Sequence, residues 1–231
     1  MNSPSISTSV REALLARFLR YVQIDTESDP TSTTYPSTEK QLDLLRLLRD
    51  ELTELGVPEV RLLEKGYVMA QIPATPGYED RPALGLIAHV DTSPDFTGQG
   101  VRPQIIEDYD GSPIALGEVA ELTAREFPEL MEVLGHTLIT TDGSTLLGAD
   151  DKAGVAEIME TVRYILAHPE LPHGKICIGF TPDEEIGKGV DFFDVKAFGA
   201  DFAFTVDGSR EGELEYENFN AASARVVAHG R

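Results

Sequence analysis

A single cysteine in 231 residues, Cys177, excludes an intrachain disulfide framework, so stability must come from a core rather than from covalent staples. Basic residues are also scarce: 19 Lys and Arg face 40 Asp and Glu, for a formal charge of −21. Phosphate backbones require a basic stripe, and a surface of this sign excludes nucleic acid as a partner. No apolar run approaches the roughly 20 residues of a membrane-spanning helix. The amino terminus, MNSPSISTSVREALL, has neither the basic start nor the apolar stretch of a secretory leader. Internal repeats and low-complexity tracts are absent. Gly98-Gln99-Gly100 lacks the third glycine and the strand-to-helix setting of a dinucleotide loop. Asp108-Tyr109-Asp110-Gly111 lacks the spacing and the closing glutamate of a calcium loop. Together these absences lead us to expect a cytoplasmic protein with no nucleic-acid or membrane partner.

What is present is a chain with 41% hydrophobic residues, enough for one sizeable buried core. Ser9 and Glu12 have capping-box spacing, and Val10, Leu14, Leu15, Phe18, Leu19 and Val22 follow at helical intervals. A second helix is expected over residues 37–55, stopped by Gly56. Short strands are expected at 60–63, 68–72, 84–90, 138–141, 176–180 and 202–206, and a helix at 151–168 ahead of Pro169. Residues 95–135, rich in Gly, Pro and acid, read as a surface excursion with little regular structure. Strands alternating with helices indicate α/β layers around a largely parallel sheet. After Gly212 the texture changes, and 214–217 and 224–228 suggest β-structure of a different unit.

Chemistry gathers where the buried runs stop. His89-Val90-Asp91 closes one apolar run, and its two functional side chains share a face if the strand persists. A carboxylate beside a ligating imidazole fixes its tautomer and raises its basicity. Asp150-Asp151 opens the third helix; an N-cap and a favourable first-turn acid would account for both, and spacing does not say which would ligate a metal. Asp183-Glu184-Glu185 follows a strand, and adjacent glutamates project differently, so one can hold a cation while the other faces water. Asp207-Gly208 ends another strand and is equally compatible with a plain turn. Alone, each cluster has an ordinary structural explanation. Four at successive strand ends form an O/N-rich set suited to divalent zinc, manganese or cobalt, the signature of a metal-dependent hydrolase. His136, His168 and His173 read instead as surface or capping groups.

The ordered motifs HVDTSPD (89–95), TTDGSTLLGADDKAG (140–154), FTPDEEIGKG (180–189) and TVDG…GELEYENFNAA (205–222) resemble the tripeptide aminopeptidases of the M20 metallopeptidase family. The resemblance runs from the first helix to the last residue. It implies an α/β/α catalytic domain over 1–214 and the first strands of an inserted α+β lid domain over 215–231. It implies two zinc ions, with His89 and Asp207 ligating one, Glu185 the other and Asp151 bridging them, so the choice between Asp150 and Asp151 falls on Asp151. Asp91 is implied to orient His89, and Glu184 to be the general base that frees an N-terminal residue from a tripeptide. A homodimer is left open. Family members return from the lid to complete the sheet and supply a further histidine ligand, which this chain does not reach. An open sheet edge and exposed apolar surface are therefore expected. His229, not followed by the family's His-Pro-Gly, is assigned no substrate role. Two alternatives accompany this reading: a non-catalytic metal-binding or interaction fragment, and a relative acting on dipeptides or N-acyl amino acids.

Overall fold

The computed structural model describes residues 7–118, 120–208, 212–216, 224 and 226–230. Helix α1 spans Thr8–Tyr21 and α2 spans Gln41–Glu54. The cap of α1 is Ser7 rather than the expected Ser9: its hydroxyl accepts the Val10 N–H, and Ser9 lies inside the helix. Helix α2 begins later than residue 37, because Ser37 is engaged elsewhere, and it buries Leu44, Leu45, Leu48 and Leu52 along one stripe.

Five strands form the main sheet in the order β1 (Arg61–Leu62), β2 (Val68–Ile72), β8 (Ile176–Thr181), β3 (Leu84–His89) and β9 (Phe202–Thr205). The sheet is mixed. β3 runs parallel to both β8 and β9, whereas β2 is antiparallel to β8 and β1. The parallel half is the part that carries the site. Strand β8 is buried along its whole length, as a central strand covered on both faces should be. On one face Ala70, Ala88, Ile178 and Phe180 pack beneath α1, α2 and α3 (Ala149–Ala167); on the other, Met69 and Cys177 pack under Phe198 of α4 (Val195–Phe198). This is the expected three-layer α/β arrangement.

Residues 95–135 are more regular than their composition suggests. Strand β4 (Pro103–Ile106) pairs antiparallel with β7 (Leu138–Thr141), β5 (Ile114–Leu116) pairs with β6 (Ala120–Leu122), and a 3-10 turn covers Pro128–Val133. These two small ribbons stand apart from the main sheet. At the far edge, β9 pairs with β3 alone among the described residues, and Phe202 and Phe204 are exposed, as an open edge requires. The β-structure expected at 214–217 and 224–228 is not found: residues 214–216, 224 and 226–228 carry no strand, and 217 and 225 lie outside the described residues. Among the described residues no helix is long and apolar enough to cross a membrane.

Candidate metal centre

Because β8, β3 and β9 are parallel, their carboxyl ends open onto one edge, and the first turn of α3 meets them there. His89, the last residue of β3, is only 4% exposed. Its Nδ1 lies 3.1 Å from the Asp91 carbonyl oxygen and 3.3 Å from Asp91 Oδ1. Its Nε2 faces the opening, 2.9 Å from Asp150 Oδ1, 3.7 Å from Asp207 Oδ2 and 3.8 Å from Glu184 Oε2. Asp91 is fully buried and accepts the Glu184 N–H at 2.9 Å and the Glu185 N–H at 3.1 Å. One carboxylate thus ties the imidazole to the loop carrying both glutamates.

Asp151 is 2% exposed; one oxygen accepts the His89 N–H at 3.1 Å and the other accepts the Gly154 N–H at 3.2 Å. The latter bond caps the regular part of α3, because Asp150 (φ −82°, ψ 106°) and Asp151 (φ −118°, ψ 29°) lack helical torsions. A capping role and a site role therefore coexist on the same side chain. Asp150 is exposed but leans on His89 Nε2. Candidate donor atoms of His89, Asp151 and Asp207 lie within 4.8 Å of one another, and so do those of His89, Asp150 and Glu185. Each of the four strand-end motifs brings at least one residue to this opening: His89, Asp150 and Asp151, Glu184 and Glu185, and Asp207. His136 is exposed, while His168 and His173 spend Nδ1 on the Tyr164 and Gly174 carbonyls, so none of the three joins it.

Charge explains what such a site can hold. Burial pushes the Asp151 carboxyl up to about 8, with Asp207 adding to the effect and His89 opposing it. Glu184 and Glu185 are raised, first by burial and then by neighbouring carboxylates. Burial alone would lower His89, yet the Asp91 hydrogen bond and the surrounding carboxylates raise it to about 10. Among the described residues, His89 is the cationic group that opposes the raised pKa of Asp151, Glu184 and Glu185, so their charge is undercompensated. Carboxylate oxygens plus one imidazole nitrogen are the donors that divalent zinc, manganese or cobalt accept, and the residues present fit such an ion.

Two further buried groups have roles that the sequence does not mark. Lys152, 1% exposed, reaches back to the Ile24 carbonyl at 2.7 Å, and burial lowers it to about 8. Its position one residue after Asp151 was the only clue. Lys152→Met should leave that carbonyl unpaired and cost about 1–3 kcal/mol, read as a lower urea midpoint at unchanged slope. Asp183 is the second. It is fully buried and turned away from the opening, because its carboxylate is taken up by Ser37 and Gln41. In an unbroken run of three acids nothing marks which one points inward.

Over 222 residues the chain is 57% identical to a peptidase T of Clostridium acetobutylicum, and over 221 residues 58% identical to one of Desulfitobacterium hafniense. Each alignment takes in 95% of this chain. This chain is homologous to peptidase T. It covers 54% and 53% of those two relatives, so it spans about half the length of the curated relatives it matches. Among solved structures it resembles the aminopeptidase PepT of Bacillus cereus, with a TM-score of 0.61 at 27% identity over 87% of this chain and 44% of that one. A tripeptidase from Staphylococcus aureus gives 0.60 at 27% identity over 86% and 44%. No family model matches the chain. The resemblance carried by the motifs thus agrees with both comparisons.

Proposed function

We propose that this chain carries the metal-binding, base-bearing portion of a metal-dependent aminopeptidase that releases the N-terminal residue of tripeptides. Supporting this reading above all is the convergence of His89, Asp151, Glu184, Glu185 and Asp207 on one opening, in a homologue of peptidase T. Residues 1–214 would be the N-terminal part of the catalytic domain and 215–231 the start of a lid domain, in a cytoplasmic protein.

His89 and Asp207 would hold one zinc ion, Glu185 the other, and Asp151 would serve both; the donor group of His89, Asp151 and Asp207 supports the first ion's set, whereas the group around Glu185 contains His89 and Asp150 rather than Asp151. Divalent cations held here supply Lewis acidity, lowering the pKa of water and polarising a carbonyl. The chain's own groups do the rest. Asp91 keeps Nδ1 occupied, so Nε2 is the nitrogen that would offer a lone pair to a cation once its proton is displaced. Glu184, whose carboxyl is raised by burial, takes the proton from the attacking water and can pass it to the departing amine.

Hydrolysis of a free tripeptide, followed before and after chelation, tests the reading. Turnover should vanish with chelator and return with zinc, and Glu184→Gln should lower kcat by about 10²–10⁴ while zinc still binds by calorimetry. Chelator-insensitive turnover, or full activity of Glu184→Gln, would refute it. The open β9 edge and the half-length match favour one other reading, a metal-binding fragment without turnover. Metal binding without hydrolysis of any peptide would support that second reading. Hydrolysis of N-blocked but not free peptides would move the substrate to N-acyl amino acids.

A further inference from the structure

Asp183 is a buried acid with no cation against it among the described residues, set one residue before the proposed base. Its Oδ1 accepts the Ser37 hydroxyl at 2.5 Å and the Gln41 side-chain N–H at 2.7 Å, and its Oδ2 accepts the Ser37 N–H at 2.8 Å. The Asp183 N–H returns a bond to Gln41 Oε1 at 3.1 Å. Four bonds thus fix one residue to the turn that leads into α2. A carboxylate without a cation survives burial only when donors saturate it, and here they do.

The backbone explains what this fixation does. Asp183 has φ +60°, a left-handed conformation that non-glycine residues adopt rarely and hold only when their surroundings over-determine it. That kink redirects the chain from β8, so that the next two N–H groups point at Asp91. The segment is braced from behind as well. The Lys188 N–H bonds the Asp183 carbonyl at 2.9 Å, the Gly187 N–H bonds the Glu184 carbonyl at 2.7 Å, and a side chain at Gly189 would press on Glu184 Cα. Glu184 is therefore gripped on one side by Asp91, which belongs to the site, and on the other by Ser37 and Gln41, which lie outside it.

We propose that Asp183, held by Ser37 and Gln41, is a positioning residue that sets the location of Glu184 and so the rate of the chemical step without contacting substrate or metal. The proposal rests on the reading of Glu184 as general base. Ser37→Ala removes the hydroxyl that Asp183 accepts, together with the bonds this hydroxyl accepts from the Asp29 N–H at 2.9 Å and the Gln41 side-chain N–H at 3.2 Å, and keeps the backbone bond; Ser37→Thr restores the hydroxyl; Asp183→Asn keeps Ser37 and perturbs the carboxylate alone. In zinc-loaded protein, Ser37→Ala should lower kcat about tenfold or more at nearly unchanged KM, because small misplacements of a catalytic group cost rate rather than binding. Ser37→Thr should recover most of that loss. Independently of turnover, amide exchange at Glu184 and Glu185 should quicken in Ser37→Ala and Asp183→Asn, while exchange in β8 and β3 stays as in the parent.

Unchanged exchange at these two amides in both variants would overturn the proposal. So would a loss spread evenly over β8 and β3, or a rise in KM at constant kcat. The base assignment fails separately, if Glu184→Gln keeps the parent's turnover while Ser37→Ala still loosens the two amides.

Discussion

Gly154→Ala should collapse the site, although glycine-to-alanine changes inside helices ordinarily stabilise by about 1 kcal/mol. A methyl group at this position would overlap the Val206 carbonyl oxygen and the Asp151 carboxylate. Neither can step aside cheaply. The Val206 oxygen is backbone at the end of β9, and the adjoining Val206 N–H is bonded to the Ile87 carbonyl at 2.8 Å. The Asp151 carboxylate is held at 3.1 Å by the His89 N–H. Overpacking against fixed atoms costs about 1–3 kcal/mol and occasionally more, so the net change should be near the upper end, about 3 kcal/mol. The consequence is local as well as global, because Val206 precedes Asp207 and the displaced carboxylate is Asp151 itself. Zinc affinity should therefore fall by more than the stability loss alone implies. A urea titration and zinc calorimetry on the same variant check both; a midpoint and an affinity equal to the parent's would show that β9 does not approach α3 as closely as described.

The glycine illustrates what could be read beforehand and what could not. Four motifs were legible because each sets an acid or imidazole at the end of an apolar run, or at the start of a helix, and a parallel sheet brings such ends together; β9, the strand before Asp207, is nevertheless exposed along its whole length. The motifs were silent on rotation about the strand ends. Asp183, Glu184 and Glu185 look alike in sequence, yet the first is drawn inward by Ser37 and Gln41, and only the fold brings residue 37 against residue 183. Asp150 and Asp151 were likewise indistinguishable by spacing; in the structure one is exposed and the other buried beneath the His89 backbone. Strand β7 is legible at 138–141, but its partner β4 is not, because it is short and partly exposed, so neither alternation nor burial stands out, and residues 107–137 separate the two. The cap of α1 was misplaced by two residues because both Ser7 and Ser9 offer the necessary hydroxyl, and Val10 takes the first.

Thermal stability should depend on pH in opposite directions with and without metal. In the metal-free chain the His89 imidazole is raised from 6.5 to about 10 and the Asp151 carboxyl from 3.8 to about 8. Both folded-state values lie above the unfolded ones, so the native chain binds more protons than the unfolded chain wherever either group titrates. Stability must then fall as pH rises, over roughly pH 4 to 8 for Asp151 and roughly pH 6.5 to 10 for His89. A divalent ion reverses the slope, because it needs the same nitrogen and oxygens free of protons and binds more tightly as they are lost. Melting curves recorded with chelator and with excess zinc from pH 5 to 9 should therefore converge in acid and separate in base, the chelated midpoint dropping while the zinc midpoint climbs. The high net negative charge adds its own downward slope to the chelated curve, so Asp151→Asn serves as the control: lacking the titrating carboxyl, it should flatten that curve between pH 4 and 8 and weaken the response to zinc. Calorimetry at pH 7 in buffers of different ionisation enthalpy should also detect proton release on zinc binding, drawn from His89 and Asp151. A chelated midpoint that climbs from pH 6 to 9, or zinc binding that releases no proton, would mean that these two groups do not hold protons where the cation goes.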